Sequence, residues 1–144
     1  MDHVAIMRKS WELTEKILTG EKNIESRWYK TRHAPWNRIE KGDIVYFKDS
    51  GCPVTLKARV QKVLQFANLT PTRVQKLLQK YGRDDGIEEK DIPAFFTRFK
   101  DKKYCILVFL EHAKKVLPFH INKKGFGAMA SWITVGDIKL IMVR

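Results

Sequence analysis

The chain has 144 residues, of which 44% are hydrophobic and 31% charged. That balance predicts one folded domain with a substantial core and argues against an intrinsically disordered chain. Since 28 Lys and Arg stand against 16 Asp and Glu, the formal net charge is +12. A charge of this size favours a polyanionic partner over the alternative of an ordinary basic surface. Among such partners, nucleic acid is favoured over a membrane.

Cysteine and histidine usage gives no sign of a disulfide framework or a metal site. Cys52 and Cys105 lie far apart with no C-x-x-C pair, and the four histidines lack paired ligand spacing. We therefore expect no metal and no cofactor, and each histidine to be exposed or satisfied in the core. The sequence contains no recognisable signal peptide. None of its apolar runs approaches the ~20 residues that a membrane span needs. We predict a cytoplasmic protein without a membrane partner, and its oligomeric state stays open, with a monomer among the options.

The first thirty residues predict a strand, a short helix and a second strand. The strands are predicted at 3–8 and 24–30, and the helix at 11–18. Ser10 is predicted as the helix N-cap and Gly20 as its left-handed end. Alternation gives the second strand two different faces, with Ile24, Ser26 and Trp28 on one and Glu25, Arg27 and Tyr29 on the other.

The remaining residues predict closely spaced strands interrupted by a helical insertion at about 68–100. A helix over 71–81 is capped by Thr70, the polar residues at 83–86 predict a plain turn, and a shorter helix starts at Pro93. Strands are predicted at 44–47, at 54–66 with a bulge near Lys62, and at 104–110, 113–121, 132–135 and 138–143. Because these strands do not alternate with helices, they favour an α+β fold, a small mixed or antiparallel β-barrel with two to four helices outside.

Residues 20–27, GEKNIESR, fit the G-x-K-x-x-E-x-R signature of the ASCH domain family. Trp28 follows the arginine, and the turn at 41–43 resembles the one that follows the signature in that family. The sequence resembles ASCH domains clearly over 3–66 and more weakly over 103–143. The resemblance implies one ASCH domain with a PUA-like fold over 1–144, with RNA, nucleotides or modified nucleosides as ligands.

The charged residues of the signature are the first candidate site. Long side chains two apart on one strand face can interact, so Glu25 is in a position to orient Arg27 towards a phosphate or a carbonyl edge. Lys22 adds a mobile cation, and Glu25 can instead accept a hydrogen bond from the amino group of a base. The alternative is a structural salt bridge that holds the strand to the helix.

A second candidate site is the junction between the first strand and the helix. Lys9, Ser10 and Trp11 lie there, and a helix N-terminus attracts an anion. Trp11 and Trp28 are candidates for stacking on a base. The alternatives are a plain N-cap at Ser10 and core packing of both tryptophans.

A third candidate is the glycine-containing loop at 122–129. Lys123 and Lys124 are expected to attract phosphate, and Phe126 or Trp132 to cover a base. The alternative is an ordinary hairpin loop.

The resemblance leaves enzymatic activity open. One ASCH branch comprises amidohydrolases that act on N4-acylated cytidine with a lysine, a threonine three residues later and a glutamate from a later strand. Lys22 matches the lysine, but Glu25 stands where the threonine would be. A hydrolase would need a buried Lys22 with lowered pKa as base, and Glu25 as proton carrier. Our first hypothesis is therefore RNA or nucleotide binding, and the alternatives are this hydrolase, a ribonuclease and a purely protein-binding domain.

Overall fold

A computed structural model describes residues 1–143 of the chain. These residues form seven strands and three α-helices, joined by turns and three short 3-10 segments. The strands are β1 (Asp2–Met7), β2 (Ile24–Tyr29), β3 (Ile44–Asp49), β4 (Val54–Phe66), β5 (Tyr104–Ile121), β6 (Trp132–Gly136) and β7 (Met142–Val143). The helices are α1 (Leu13–Thr19), α2 (Pro71–Tyr81) and α3 (Ile92–Phe99).

The strands form one curled sheet, a half-barrel with the helices packed outside. Its order is β2-β5-β4-β3-β1-β6, and β7 pairs with the far part of β5. The β1–β3 pair is parallel and the other pairs are antiparallel. The α+β barrel that the sequence predicts is confirmed, and β2 is left at one edge of the sheet.

Alternating side chains place apolar residues on both faces of this sheet. The inner face buries the main core, including Phe47, Val60 and Ile106. On the outer face, α2 and α3 cover Ile24 and Trp28. Burying one such side chain stabilises the fold by about 1.5–3 kcal/mol, so the helical insertion is an integral part of the domain.

The strongest patterns in the sequence predicted their elements well. The strand at 54–66 and the helix at 71–81 are observed with those bounds, and β4 changes register between Val60 and Lys62 as predicted. The separate strands at 104–110 and 113–121 form one strand, β5, bent where His112 adopts φ 54. A left-handed residue at a bulge redirects a strand without ending it.

Two predictions near the chain ends are wrong. The strand at 138–143 is largely a 3-10 turn over Ile138–Leu140, because Asp137 accepts a hydrogen bond from the Lys139 amide at 2.9 Å and starts a turn there. The first helix starts at Leu13, and Ser10 is not its N-cap. Glu12 has φ 53, so the 3-10 turn Lys9–Trp11 cannot continue into α1. Gly20 ends α1 with φ 84, as predicted.

Among the described residues, no helix combines the length and the apolar character required to cross a bilayer.

Candidate functional site

Lys22 of the signature is completely enclosed, with 1% of its surface exposed. Its ammonium donates to the backbone oxygens of Ile24 and Asp85, both at 2.6 Å, and to the Asp85 carboxylate. The Glu25 carboxylate lies 3.4 Å away. Lys22 is therefore a fixed structural cation and not the mobile one that the sequence suggested.

Burial disfavours the charged form of Lys22, but the carboxylates of Asp85 and Glu25 outweigh it and raise the pKa of the ammonium. A general base must release its proton near the working pH, which requires a lowered pKa. The expectation of a lowered Lys22 pKa, on which the hydrolase mechanism depended, is therefore wrong.

Arg27 connects β2 to the opposite side of the half-barrel. Its guanidinium donates to the Ser131 oxygen at 3.0 Å, to the Ile6 oxygen at 3.4 Å and to Glu25 at 3.2 Å. Its carbon lies 5.2 Å from the centre of the Trp132 ring. The Arg27 side chain thus bridges the opening between edge strand β2 and the end of β1. We call this opening the seam.

Asp85 lies in the turn between α2 and α3, where the sequence predicted a plain turn. It is 5% exposed. Besides Lys22, its carboxylate accepts from the Ser26 hydroxyl, which in turn accepts from the Trp28 indole at 3.0 Å. A buried lysine needs a carboxylate partner, so Asp85 could have been inferred only once Lys22 was known to be buried, which the sequence does not show.

A cleft of about 460 Å³ opens at the seam. It lies between β2, the end of β1, the 3-10 turn Lys9–Trp11 and the end of α3. Of the predicted site residues, the structure brings Trp11, Glu25, Arg27 and Trp28 together here. Sequence reasoning missed the other side chains that carry its chemistry, namely Arg8, Arg98, Phe99 and Lys102.

The rim of the cleft is strongly cationic. The guanidinium carbons of Arg8 and Arg98 lie 4.9 and 5.0 Å from the centre of the Trp11 ring. Burial and the charge of Arg8 lower the pKa of Arg98. Within residues 1–143, no carboxylate forms an ion pair with Arg8, Arg98 or Lys102, which we call the rim cations. Like charges gathered without a counter-ion create a field that attracts an anion.

The aromatic residues of the cleft differ in their availability. Trp28 is 8% exposed and stacks on Phe99 at 4.9 Å with an interplanar angle of 7°. It therefore forms a fixed wall with one ring face covered by Phe99, and stacking of a base on Trp28 stays a prediction. Trp11 is only half-buried and leans edgewise on Phe95. Of the two tryptophans that line the cleft, Trp11 is thus the more accessible.

Four other predicted residues lie outside the lining of the cleft. Lys9 and Ser10 are exposed on the neighbouring 3-10 turn. Lys123 donates to the oxygens of Ala128 and Ala130, at 3.1 and 2.9 Å, so it holds its own loop together. Lys124 is exposed in that loop.

Trp132 lies beneath Arg27, where it belongs to a buried polar network. Its indole donates to Nδ1 of His3 at 3.2 Å. Since an indole N–H can only donate, Nδ1 accepts, and Nε2 carries the proton towards Asp43 at 2.9 Å. Burial lowers the pKa of His3, although the hydrogen bond with Asp43 opposes the shift. His3 is therefore a satisfied core histidine, and the other three are exposed.

A larger groove of about 950 Å³ lies behind the insertion, between the end of α1 and the turn that follows α2. Acidic side chains of Glu21, Asp84, Glu88 and Glu89 line it together with Lys16 and Arg83. In a chain of net charge +12 this mixed surface is poorly suited to a polyanion. Within residues 1–143, no three His, Cys, Asp or Glu side chains are grouped to bind a metal ion.

Comparison with solved structures identifies the fold. The ASCH protein from Zymomonas mobilis superposes with a TM-score of 0.64 at 16% identity, over 93% of this chain and 87% of that one. The chain has an ASCH fold. A single-residue variant of the Zymomonas protein gives a TM-score of 0.67 at 14% identity, over 96% and 91% of the two chains. The hypothetical protein PH0355 gives 0.52 at 19% identity, over 81% of this chain and 100% of that one.

No family model and no curated protein matches the sequence. The identities to the solved structures are low, so the likeness is one of fold. Within this ASCH fold, the signature at 20–27 occupies the end of α1 and the start of β2. The small α+β barrel expected from the sequence agrees with this result.

Proposed function

We propose that the protein binds RNA or nucleotides in the cleft at the seam, mainly through their phosphate groups. The observation that carries this proposal is the placement of Arg8 and Arg98 against Trp11 without a carboxylate partner among the described residues. The ASCH signature and fold support the proposal, because the resemblance implies RNA and nucleotide ligands.

The chemistry of the rim suits a phosphate. A guanidinium presents paired N–H donors to two phosphate oxygens, and Lys102 adds a compact charge. Trp11 offers an aromatic surface to a base. A volume of about 460 Å³ falls within the roughly 300–1,000 Å³ range of small-ligand sites. Such a site takes one nucleotide, with the remainder of an RNA strand extending outside.

The floor of the cleft differs from the cationic rim because its charged side chains are paired. Glu25 and Arg27 are paired with each other there, and Glu25 also contacts Lys22. The floor is thus polar but close to neutral. Attraction of the ligand comes from the rim, while the floor supplies a fixed set of donors and acceptors.

The test is a titration of labelled single-stranded RNA and of nucleoside monophosphates at several salt concentrations. Arg98→Ala is compared with Arg83→Ala, which removes another exposed arginine of the insertion, one in the larger groove. We expect Arg98→Ala to weaken binding about tenfold and to lower the salt slope by about one, with Arg83→Ala close to wild type.

Two results would overturn the proposal: no binding by the wild-type protein, or equal losses in both variants. The same RNA samples are run on a denaturing gel. Intact RNA is expected, and shortening that depends on the wild-type protein would instead favour the ribonuclease alternative.

A further inference from the structure

Asp85 contacts two parts of the signature at once. One carboxylate oxygen accepts from the Lys22 ammonium and the other from the Ser26 hydroxyl. Ser26 lies on the face of β2 that carries Trp28, whereas Lys22, which precedes the strand, lies 3.4 Å from Glu25 of the opposite face. A single residue of the helical insertion is therefore connected to both faces of β2.

The first connection runs to the floor of the cleft. Lys22 lies 3.4 Å from Glu25, and Glu25 lies 3.2 Å from Arg27. With Asp85 these side chains form a row of alternating charge whose formal sum is zero. If the charge at Asp85 is removed, Glu25 is the one carboxylate left beside the buried Lys22 ammonium, and we expect it to shift from Arg27 towards Lys22.

The second connection runs to the aromatic wall. The Trp28 indole can only donate, so the Ser26 oxygen accepts from it and the Ser26 proton points to Asp85. Trp28 then stacks on Phe99, which lines the cleft. The Asp85 carboxylate thus orients the Ser26 hydroxyl, and the Ser26 oxygen in turn holds the Trp28 indole.

The turn that carries Asp85 is itself firmly held. The Asp84 oxygen accepts from the amides of Asn23 and Ile24, at 2.7 and 2.9 Å. Gly86 has φ 81, and a Cβ there would lie 3.2 Å from the Lys22 side chain. The turn therefore packs closely against the signature. Position 86 is a glycine because the Lys22 side chain leaves no room for a Cβ there.

We propose that Asp85 is a positioning residue for the cleft, which sets both its charged floor and its aromatic wall. The proposal rests on nucleotide binding at the cleft. It makes the helical insertion a determinant of how the base is held, because Asp85 reaches the wall and the floor but none of the rim cations.

The experiment compares Asp85→Asn with Asp84→Asn, the same change one residue earlier on an exposed side chain. Affinity is measured for uridine monophosphate and for ribose 5-phosphate, which keeps the phosphate and lacks the base. Asp85→Asn is expected to weaken nucleotide binding at least fivefold more than ribose 5-phosphate binding, whereas Asp84→Asn changes neither. Equal effects on the two ligands would overturn the proposal, because general loosening of the fold does not distinguish them.

A second pair of variants covers the case in which Asp85→Asn does not fold. Ser26→Ala removes the hydroxyl without changing a charge, and Ser26→Thr restores one. We expect Ser26→Ala, and not Ser26→Thr, to shift the indole N–H signal of Trp28 in ligand-free NMR spectra and to weaken nucleotide binding. An unmoved Trp28 signal in Ser26→Ala would overturn the proposal. Since this signal needs no ligand, it separates failure of positioning from failure of nucleotide binding, which the wild-type titration reports.

Discussion

The cations of this domain fall into two groups with opposite environments. Lys22 and Arg27, the cations of the signature, are largely enclosed and are paired with Asp85 and Glu25. The rim cations surround the same cleft, and no carboxylate among residues 1–143 pairs with them. The recognisable motif therefore builds the frame of the cleft, whereas residues outside the motif give the cleft its attraction for anions.

This difference has an energetic consequence. Breaking a buried ion pair on one side leaves an uncompensated charge and costs about 3–5 kcal/mol. Substituting an exposed side chain away from such features usually changes stability by less than about 0.5 kcal/mol. The two groups of cations should therefore separate in experiments, one affecting folding and the other affecting binding.

The largest effect is expected for Lys22→Met, which keeps most of the apolar length of the side chain. Asp85 and Glu25 are then buried without their common cation, and we expect a loss of about 3–5 kcal/mol in the free energy of unfolding. Urea denaturation measures it. Lys102→Met is the matched control and should change stability by less than about 0.5 kcal/mol. Similar losses in the two variants would remove the distinction between frame and rim.

Arg8→Ala should weaken RNA binding without lowering the stability of the fold. It removes a rim guanidinium, and we expect RNA affinity to fall by about 1–3 kcal/mol, with a salt slope lower by about one. The urea midpoint should stay near that of the wild type. Arg38→Ala, at an exposed arginine outside the lining of the cleft, serves as the control. A stability loss in Arg8→Ala comparable to that of Lys22→Met would contradict the assignment.

The network under Arg27 predicts a pH dependence of stability. Because burial lowers the pKa of His3, the native protein binds fewer protons than the unfolded chain between that pKa and about 6.5. The free energy of unfolding should therefore decrease as the pH falls below about 6.5. The charged groups facing His3 are Asp43, Asp2 and the amino terminus; the two carboxylates oppose the lowering of its pKa and the amino terminus adds to it.

Urea denaturation at about pH 7.5 and about pH 5.5 tests this dependence. His3→Gln keeps a donor and an acceptor but does not titrate, so its stability should vary less between the two pH values. An unchanged pH dependence in His3→Gln would assign the effect to other groups.

The smallest effect is expected at the loop at 122–129. Lys124 is exposed there and does not line the cleft. Its replacement by alanine should change RNA affinity less than about twofold at physiological salt, where charges more than about 8 Å apart are largely screened. A loss as large as that of Arg98→Ala would extend the binding surface to this loop.

Local patterns made much of the fold predictable. Alternation over 54–66 and helical spacing over 71–81 are long and regular, and both elements were predicted with their observed bounds. The first helix was misplaced because Glu12 adopts a left-handed conformation, which local helix signals do not reveal. Trp11, which directly precedes Glu12, contacts Phe95 of α3.

The site was predictable only in part, because sequence spacing contains little information about which loops meet. The signature located Glu25 and Arg27, which line the cleft. Arg8 and Arg98 lie ninety residues apart in the sequence and meet only because α3 packs against β2 and against Trp11 of the 3-10 turn. For Asp85, the neighbouring polar residues indicated a turn, and its burial follows from the position of Lys22.

The most direct test of binding at the seam is NMR of the tryptophan indole N–H groups during titration with a nucleoside monophosphate. Trp11 lines the cleft, whereas Trp36 packs against Tyr104 outside its lining. If the nucleotide binds at the seam, the Trp11 signal shifts saturably and the Trp36 signal does not move. A saturable shift of Trp36 while Trp11 stays in place would contradict binding at the seam.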